Sequence, residues 1–391
     1  MKRKRIIMPT FEKIQWMPPT ITLINTLVEL GYDIAYITIY PDDYYKNFDT
    51  EHVTNLYIFS KNIEILKYFK NRIFRSMVFR IENFIKKFFA HFIGKKLNDV
   101  LKKDDILWVV NELTVIYAGG RFLRKYKDNF IFTMYELHSS KFSTRNIKKA
   151  AQYSSINVVP EYNRSHMQKL FFHLDKLPMV LPNKPEGHPI KKNMDVNNIE
   201  VEEIIKKIKK NEKKIVLYMG IIGIERPLET FIEAINELSD SFEFVVMGKR
   251  TEYLNYLLSK YPNKFTYIGY FTPPMHLMIA SHADVGLLTY VGENSDFGLN
   301  AIYCAPNKIF EYTGFGMPII TNNIPGLYYT IEKNKCGVCV DMNNKREILE
   351  GLRKINNDYQ RLSNNAVEFY NEVNVKDIIN NIICKYQDIS N

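Results

Sequence analysis

Short apolar runs alternate with amphipathic stretches along most of the chain. Arg5–Pro9 reads as a first strand. Thr20–Leu30 follows with Ile21, Ile24, Leu27 and Val28 at helical spacing, and Gly31 ends that helix. Strand runs then recur at Asp33–Ile39, Val53–Phe59, Asp105–Val110, Asn129–Met134 and Ile156–Pro160. The pattern pauses at Leu181-Pro-Asn-Lys-Pro, and residues 183–213 are polar enough to read as a linker plus a short charged helix. Alternation resumes with strands at Lys214–Met219, Phe242–Met247, Phe265–Ile268, Asp284–Leu288, Pro318–Thr321 and Gly337–Val340, and a helix at Pro227–Leu238. Strand–helix alternation of this kind predicts an α/β fold of open parallel sheets with helices on both faces. The expected architecture is two Rossmann-like domains, 1–184 and 185–369. A C-terminal helical segment (370–391, helix from about Val375 to Tyr386) is free to pack on either half.

Length supports that division, since 391 residues exceed one compact core. An apolar content of 46% with 25% charged residues is that of a globular protein. No apolar run approaches the ~20 residues of a membrane-spanning helix. The basic start, Met1-Lys-Arg-Lys-Arg, is followed only by Ile6–Met8 before Pro9, Glu12 and Lys13, which is not the pattern of a signal peptide. Four cysteines do not make a disulfide framework in a chain this long, and a cytoplasmic location is expected. Cys336 and Cys339 form an isolated pair inside a strand pattern and read as packing residues.

Charge changes the picture more than composition does. The net charge is +10, but residues 61–103 carry twelve Lys and Arg against three acids, so +9 resides there. A near-neutral protein with one basic segment is not a general nucleic-acid binder; it points to a local anionic partner. From Leu66, apolar residues recur at Phe69, Ile73, Met77, Ile81, Phe84, Phe88 and Phe92. Arg72, Arg75 and Lys86 fall opposite that face, and Lys70, Arg80 and Lys87 flank it. The helix either lies in an anionic membrane surface or packs its Phe face inward and exposes a solvated basic face.

Two segments of the second half carry chemistry. In Tyr218-Met-Gly-Ile-Ile-Gly-Ile-Glu-Arg-Pro, a strand runs into a loop with Gly220 and Gly223, then into a helix expected to have Pro227 in its first turn. Glycines admit close approach of a ligand, free helix N–H groups favour an anion, and Arg226 stands at the mouth. An ordinary strand–turn–helix would look the same. In Ala305-Pro-Asn-Lys-Ile-Phe-Glu-Tyr-Thr-Gly-Phe-Gly-Met-Pro, Pro306 is expected to open a helix that Gly314 and Gly316 close. Asn307 and Glu311 then share a face, so the helix start takes a phosphate and Glu311, one turn on, accepts from two vicinal hydroxyls. The alternative is a buried helix with a capping Asn and a solvated Glu.

Taken in order, Gly220…Arg226-Pro-Leu-Glu, Phe244-Val-Val-Met-Gly, Tyr267-Ile-Gly-Tyr, Ala283-Asp-Val-Gly-Leu-Leu and Pro306-Asn-Lys-Ile-Phe-Glu-Tyr…Gly316-Met-Pro-Ile-Ile resemble the donor domain of GT-B glycosyltransferases of the family 4 type. The resemblance covers about residues 214–345. It implies two Rossmann-like domains facing a central cleft and a nucleotide-diphosphate sugar as donor, with no further cofactor and no metal. It implies that Arg226 clamps the donor diphosphate, that Glu311 holds the ribose, and that the Tyr267–Tyr270 stretch meets the base. It also implies that the Asn307, Lys308 and Ile309 amides meet the phosphates. Two positions depart from the family pattern. Ile221 stands where an Arg is frequent, and Tyr303 replaces the first Glu of the paired-Glu motif, with Asn300 or Asp296 as substitutes.

On the acceptor side, Phe132-Thr-Met-Tyr-Glu-Leu-His follows a strand, and relatives carry a His there that points at the donor sugar; His138 fits, with Glu136 as neighbour. Glu112, at another strand end, is a candidate acceptor contact or base. Glu161 and Asn163 follow a third. The resemblance implies a retaining reaction, stabilised chiefly by charge on the departing diphosphate. With the basic segment, it suggests transfer to a lipid-linked glycan at the inner face of the cell membrane in cell-surface polysaccharide assembly. A nucleotide-sugar epimerase or hydrolase on the same fold, and a non-catalytic peripheral membrane protein, are the alternatives.

Overall fold

The computed structural model describes residues 3–11, 13–14, 17–38, 46–57, 91–118, 120–138, 141–290 and 298–390. The chain divides into two units, Met1–Pro182 with Asn374–Asn391, and Asn183–Val373. Most of the basic 61–103 segment, including Arg72, Arg75 and Lys86, lies outside the described residues, as does Asp296. No described helix is long and apolar enough to cross a membrane.

The first unit holds a seven-stranded sheet. Its strands are β1 (Arg5–Pro9), β2 (Asp33–Thr38), β3 (Val53–Tyr57), β4 (Ile106–Val110), β5 (Ile131–Thr133), β6 (Ile156–Val159) and β7 (Met179–Val180), in the order β3-β2-β1-β4-β5-β6-β7. Every pairing is parallel. All five side chains of β4 are buried, because a parallel sheet is covered on both faces. Met8, Tyr36, Trp108 and Ile131 fill one face; Ile7, Ile37, Val109 and Phe132 fill the other. Alternate residues pointing to opposite sides produce this division. The helix Val375–Ser390 completes the first face with Ile379, Ile382, Ile383 and Tyr386, whose spacings of three and four place them on one stripe.

The second unit holds a six-stranded parallel sheet of β8 (Lys214–Met219), β9 (Phe242–Met247), β10 (Thr266–Tyr267), β11 (Val285–Leu288), β12 (Ile319–Asn322) and β13 (Gly337–Val340), ordered β10-β9-β8-β11-β12-β13. Ile215, Leu217 and Met219 face one core; Val216, Tyr218 and Leu287 face the other. The expected charged helix is Ile199–Ile208, capped by the Asn198 side chain on Val201 N–H.

Two helix starts differ from expectation. The helix placed at Pro227 begins at Glu229 and runs only to Ile235, followed by a 3₁₀ turn at Asn236–Leu238. Pro227 belongs to the preceding turn, in which Arg226 N–H donates to Gly223 C=O. The helix placed at Pro306 is Lys308–Thr313. Asn307 precedes it with helical backbone angles and makes no side-chain cap. In both places proline serves the turn that leads into the helix.

Candidate functional site

In both sheets the chain reverses its direction of addition: between β1 and β4, and between β8 and β11. In open parallel sheets such switch points open a crevice at the C-terminal strand ends. The candidate residues of each unit gather there.

In the second unit, β8 ends at Gly220, whose φ is +146°. A side chain on it would be strained, and its Cβ would stand 3.7 Å from Arg226 Nη1 and 3.9 Å from Lys308 Cε. Gly220 is therefore a floor with a cation on either side. The Gly223 turn folds Arg226 back over this floor. Tyr290, two residues past β11, lies beneath the guanidinium, its ring centroid 4.8 Å from Arg226 Cζ. Arg226 also hydrogen-bonds the Tyr218 hydroxyl, which donates to Ile221 C=O at 2.5 Å. Ile221 itself is exposed. Neither Tyr218 nor Tyr290 was singled out from sequence for this task. Strand identity marked Tyr218 only as core, and Tyr290 follows a strand without a motif.

Tyr312 fixes the second wall. Its hydroxyl accepts from Met219 N–H at 3.1 Å, and its ring occupies the space a Cβ on Gly286 would need. The helix Lys308–Thr313 is thus pinned to β8 and β11 together. This places Lys308 and Glu311 beside Gly220. Glu311 is 7% exposed, with Lys308 Nζ 2.8 Å and His276 Nε2 3.7 Å from its Oε2. Burial alone would raise this carboxyl, but Lys308 and His276 outweigh it and bring the group down to about 2. The expectation of a capping Asn307 with a solvated Glu311 is thereby corrected. Asn307 C=O instead receives the Phe310 and Glu311 amides, and Ile309 N–H donates to Pro306 C=O at 3.2 Å. The Ile309 amide is engaged in its own turn rather than offered to a phosphate. At the other helix, Leu228 N–H is held by Tyr253 Oη at 2.9 Å, so it too is not a free anion donor.

The third wall comes from β9 and β10. Gly248 N–H donates to Gly269 C=O, and Tyr267 Oη donates to Gly248 C=O, both at 2.9 Å. These bonds draw the Gly269–Tyr270 turn against the end of β9. Tyr270 is half exposed, with Lys249 Nζ 4.9 Å from its ring centroid. Two cations over a glycine floor, a carboxylate one turn away and an aromatic-lined turn beyond form a sequence of sites. Chemically it offers positive charge to an anion, two acceptor oxygens to a diol and an aromatic side chain to a planar ring. Tyr303 follows the short helix Gly298–Ile302, which contains Asn300.

In the first unit, Glu112 opens the helix Glu112–Ala118 immediately after β4 and Asn111, and is 1% exposed. Its Oε1 accepts Glu136 N–H at 2.6 Å; its buried Oε2 has no hydrogen-bond partner. Burial pushes the carboxyl up to about 8, against the stabilising amide. The structure thus joins two strand ends that sequence reading treated separately. Arg164 donates to Tyr135 C=O, and Glu161 caps the helix Tyr162–Phe172, taking Arg164 N–H at 3.0 Å and Asn163 Nδ2 at 2.6 Å. Glu161 and Asn163 thus have a structural cap as their visible task. His138 is half-buried and its pKa is lowered by that burial, with Glu136 opposing. A separate cavity of about 830 Å³, lined by Ser155, Asn157, His173, Lys176 and Asp388, lies at the opposite, N-terminal strand ends. All four cysteines are free, and burial pushes the Cys336 and Cys339 thiols up to about 12. Among the described residues no His, Cys, Asp and Glu group suited to a metal occurs.

Residues 200–369 match the family described as glycosyl transferases group 1. Solved structures similar to the whole chain include a glycosyltransferase from Rickettsia africae ESF-5, at 15% identity and TM-score 0.66, covering 100% of this chain and 99% of that one. Sucrose-phosphate synthase from Thermosynechococcus elongatus is similar at 14% identity and TM-score 0.66, with 99% of each chain covered. The Anabaena protein HepE in complex with UDP is similar at 10% identity and TM-score 0.69, covering 98% and 100%. These likenesses establish the fold, two Rossmann-like units of the GT-B class. A search of curated proteins by sequence gave no match.

Proposed function

We propose that the chain is a glycosyltransferase, as the match of residues 200–369 to the glycosyl transferases group 1 family supports, and that it transfers a sugar from a nucleoside-diphosphate donor to a lipid-linked glycan at a membrane surface. The observation that carries the donor assignment is the convergence of Arg226 and Lys308 over Gly220 with Glu311 beside them. In this reading the diphosphate rests on Gly220 between the two cations, the ribose hydroxyls donate to Glu311, and the base meets the Tyr267–Tyr270 turn. UDP is a reasonable first probe, since HepE is seen with it.

Departure of the sugar leaves growing negative charge on the diphosphate. Arg226, held by Tyr290 and Tyr218, stabilises that charge without having to reorganise. With configuration retained, the departing diphosphate itself receives the acceptor's proton. Glu112 and His138 form the acceptor side. Glu112, buried and neutral below about pH 8, supports that side from beneath through its bond to the Glu136 amide and does not itself touch the acceptor. The lipid-linked acceptor is inferred from the +9 charge of residues 61–103. That charge suits a peripheral protein of the inner membrane face, in polysaccharide assembly.

The test is turnover of a nucleotide-sugar panel with a lipid-diphosphate acceptor. Arg226→Ala and Glu311→Ala are each expected to lower donor turnover by roughly 10²-fold. Full activity in both variants would remove the donor-site assignment, and nucleotide release without acceptor would favour a hydrolase.

A further inference from the structure

The ribose carboxylate has a support that belongs to neither of the recognised segments. His276 lies on the helix Met275–Ala280, which follows the Tyr267–Tyr270 turn, and reaches Glu311 across elements. Lys308 and His276 both lie against the buried Oε2, at 2.8 and 3.7 Å, as ion-pair contacts without a well-formed hydrogen bond, and so draw that oxygen to their side of the carboxylate. The two supports are not equivalent. Lys308 flanks the Gly220 floor, where a diphosphate would draw its ammonium away from Glu311. His276 has no such competing task. Its buried Nδ1 has no hydrogen-bond partner, so the imidazole is not spent on tying down its own helix. His188 also acts on Glu311, but its ring is packed against Phe315, 4.7 Å between centroids, beside Gly314.

We propose that His276 is a positioning residue for the donor ribose: through Nε2 it holds the Glu311 carboxylate in the orientation that accepts the two ribose hydroxyls. This rests on the reading of Glu311 as the ribose acceptor. It adds that the base-side helix and the ribose-side helix are coupled through one imidazole. Losing His276 therefore weakens the diol contact and leaves the diphosphate contact in place.

The experiment measures, by calorimetry on the full chain, the affinities of UDP, GDP, ADP and CDP and of their 2′,3′-dideoxy counterparts. The variants are His276→Leu, His276→Asn, His276→Gln and Glu311→Gln. Wild type is expected to prefer the best ribonucleotide over its dideoxy analogue. His276→Leu should lower affinity for the ribonucleotide about 5–10-fold and for the analogue less than about 2-fold. His276→Asn, too short to reach, should behave likewise and serves if the Leu variant does not fold. His276→Gln, whose amide reaches the Nε2 position, should restore most of the preference. Equal losses for both ligands, or an unchanged preference in Leu and Asn variants, would overturn the proposal. If Glu311→Gln leaves the preference intact, the ribose reading itself fails. If it abolishes the preference while His276→Leu does not, only the role of His276 fails. Absence of binding by all four nucleotides overturns both.

Discussion

The Glu136 N–H on its Oε1 is the largest influence favouring ionised Glu112, ahead of the residue's own amide and the Arg164 charge. Burial prevails over them and sets the carboxyl at about 8, so between about pH 4.5 and 8 the folded protein keeps a proton that the unfolded chain has released. The native state binds the extra proton, and its stability therefore falls as pH rises through this window, by at most about 5 kcal/mol. Glu112→Gln keeps an oxygen for the Glu136 amide and removes the titration. Urea unfolding followed by tryptophan fluorescence should show wild type losing stability relative to the variant from pH 5 to pH 8.5; both tryptophans belong to the first unit. A constant difference would contradict the buried neutral acid. Glu311 has the opposite sign. Held at about 2, its charge contributes above about pH 4.5 and is lost only as pH falls toward 2. Lys308→Met removes the largest lowering influence and leaves His276 alone against burial, so the carboxyl rises. The ribonucleotide-to-dideoxynucleotide affinity ratio, in which phosphate titration cancels, should decline from pH 7 to pH 5 in the variant. In wild type it should stay level.

The helix Lys308–Thr313 is too short to stand alone and takes its place from Tyr312. Gly286→Ala puts a methyl into the Tyr312 ring and should cost roughly 1–3 kcal/mol by overpacking, while also displacing Lys308 and Glu311. Gly298→Ala, with open space at its Cβ, is the control and should leave melting temperature and nucleotide affinity nearly unchanged. The boundaries of β8, β9 and β13 were legible because their apolar runs end abruptly at glycine or a charge. Helix starts were less so, because Pro227 and Pro306 serve turns as well as helices. The floor at Gly220 could be read from its loop. His276, Tyr218 and Tyr290 could not, because they act on residues distant in sequence, and no periodicity encodes that. The burial of Glu112 was hidden for the same reason: its environment comes from the end of a different strand.

At the scale of the molecule, each unit has its own sheet and its own pair of cores, yet the division is not a single cut, since Val375–Ser390 rejoins the first unit. Ile382→Asp and Ile383→Asp should raise hydrogen exchange in β1, β2 and β4 while leaving β8, β9 and β11 protected. Protection lost equally in both sheets would contradict that assignment. The charge of residues 61–103 makes a second prediction. Binding to vesicles should require anionic lipid and weaken as salt shortens the screening length. Equal binding to neutral vesicles would leave the charge a solubilising feature. The returning helix also bears on synthesis. A chain emerging from the ribosome makes the first sheet early but lacks the Ile379, Ile382, Ile383 and Tyr386 stripe until the whole second unit has been translated. Part of one apolar face of that sheet, beside the Leu23, Ile24 and Leu27 stripe, must wait uncovered during this interval, open to chaperones or to wrong partners, so nascent-chain quality depends on the helix made last.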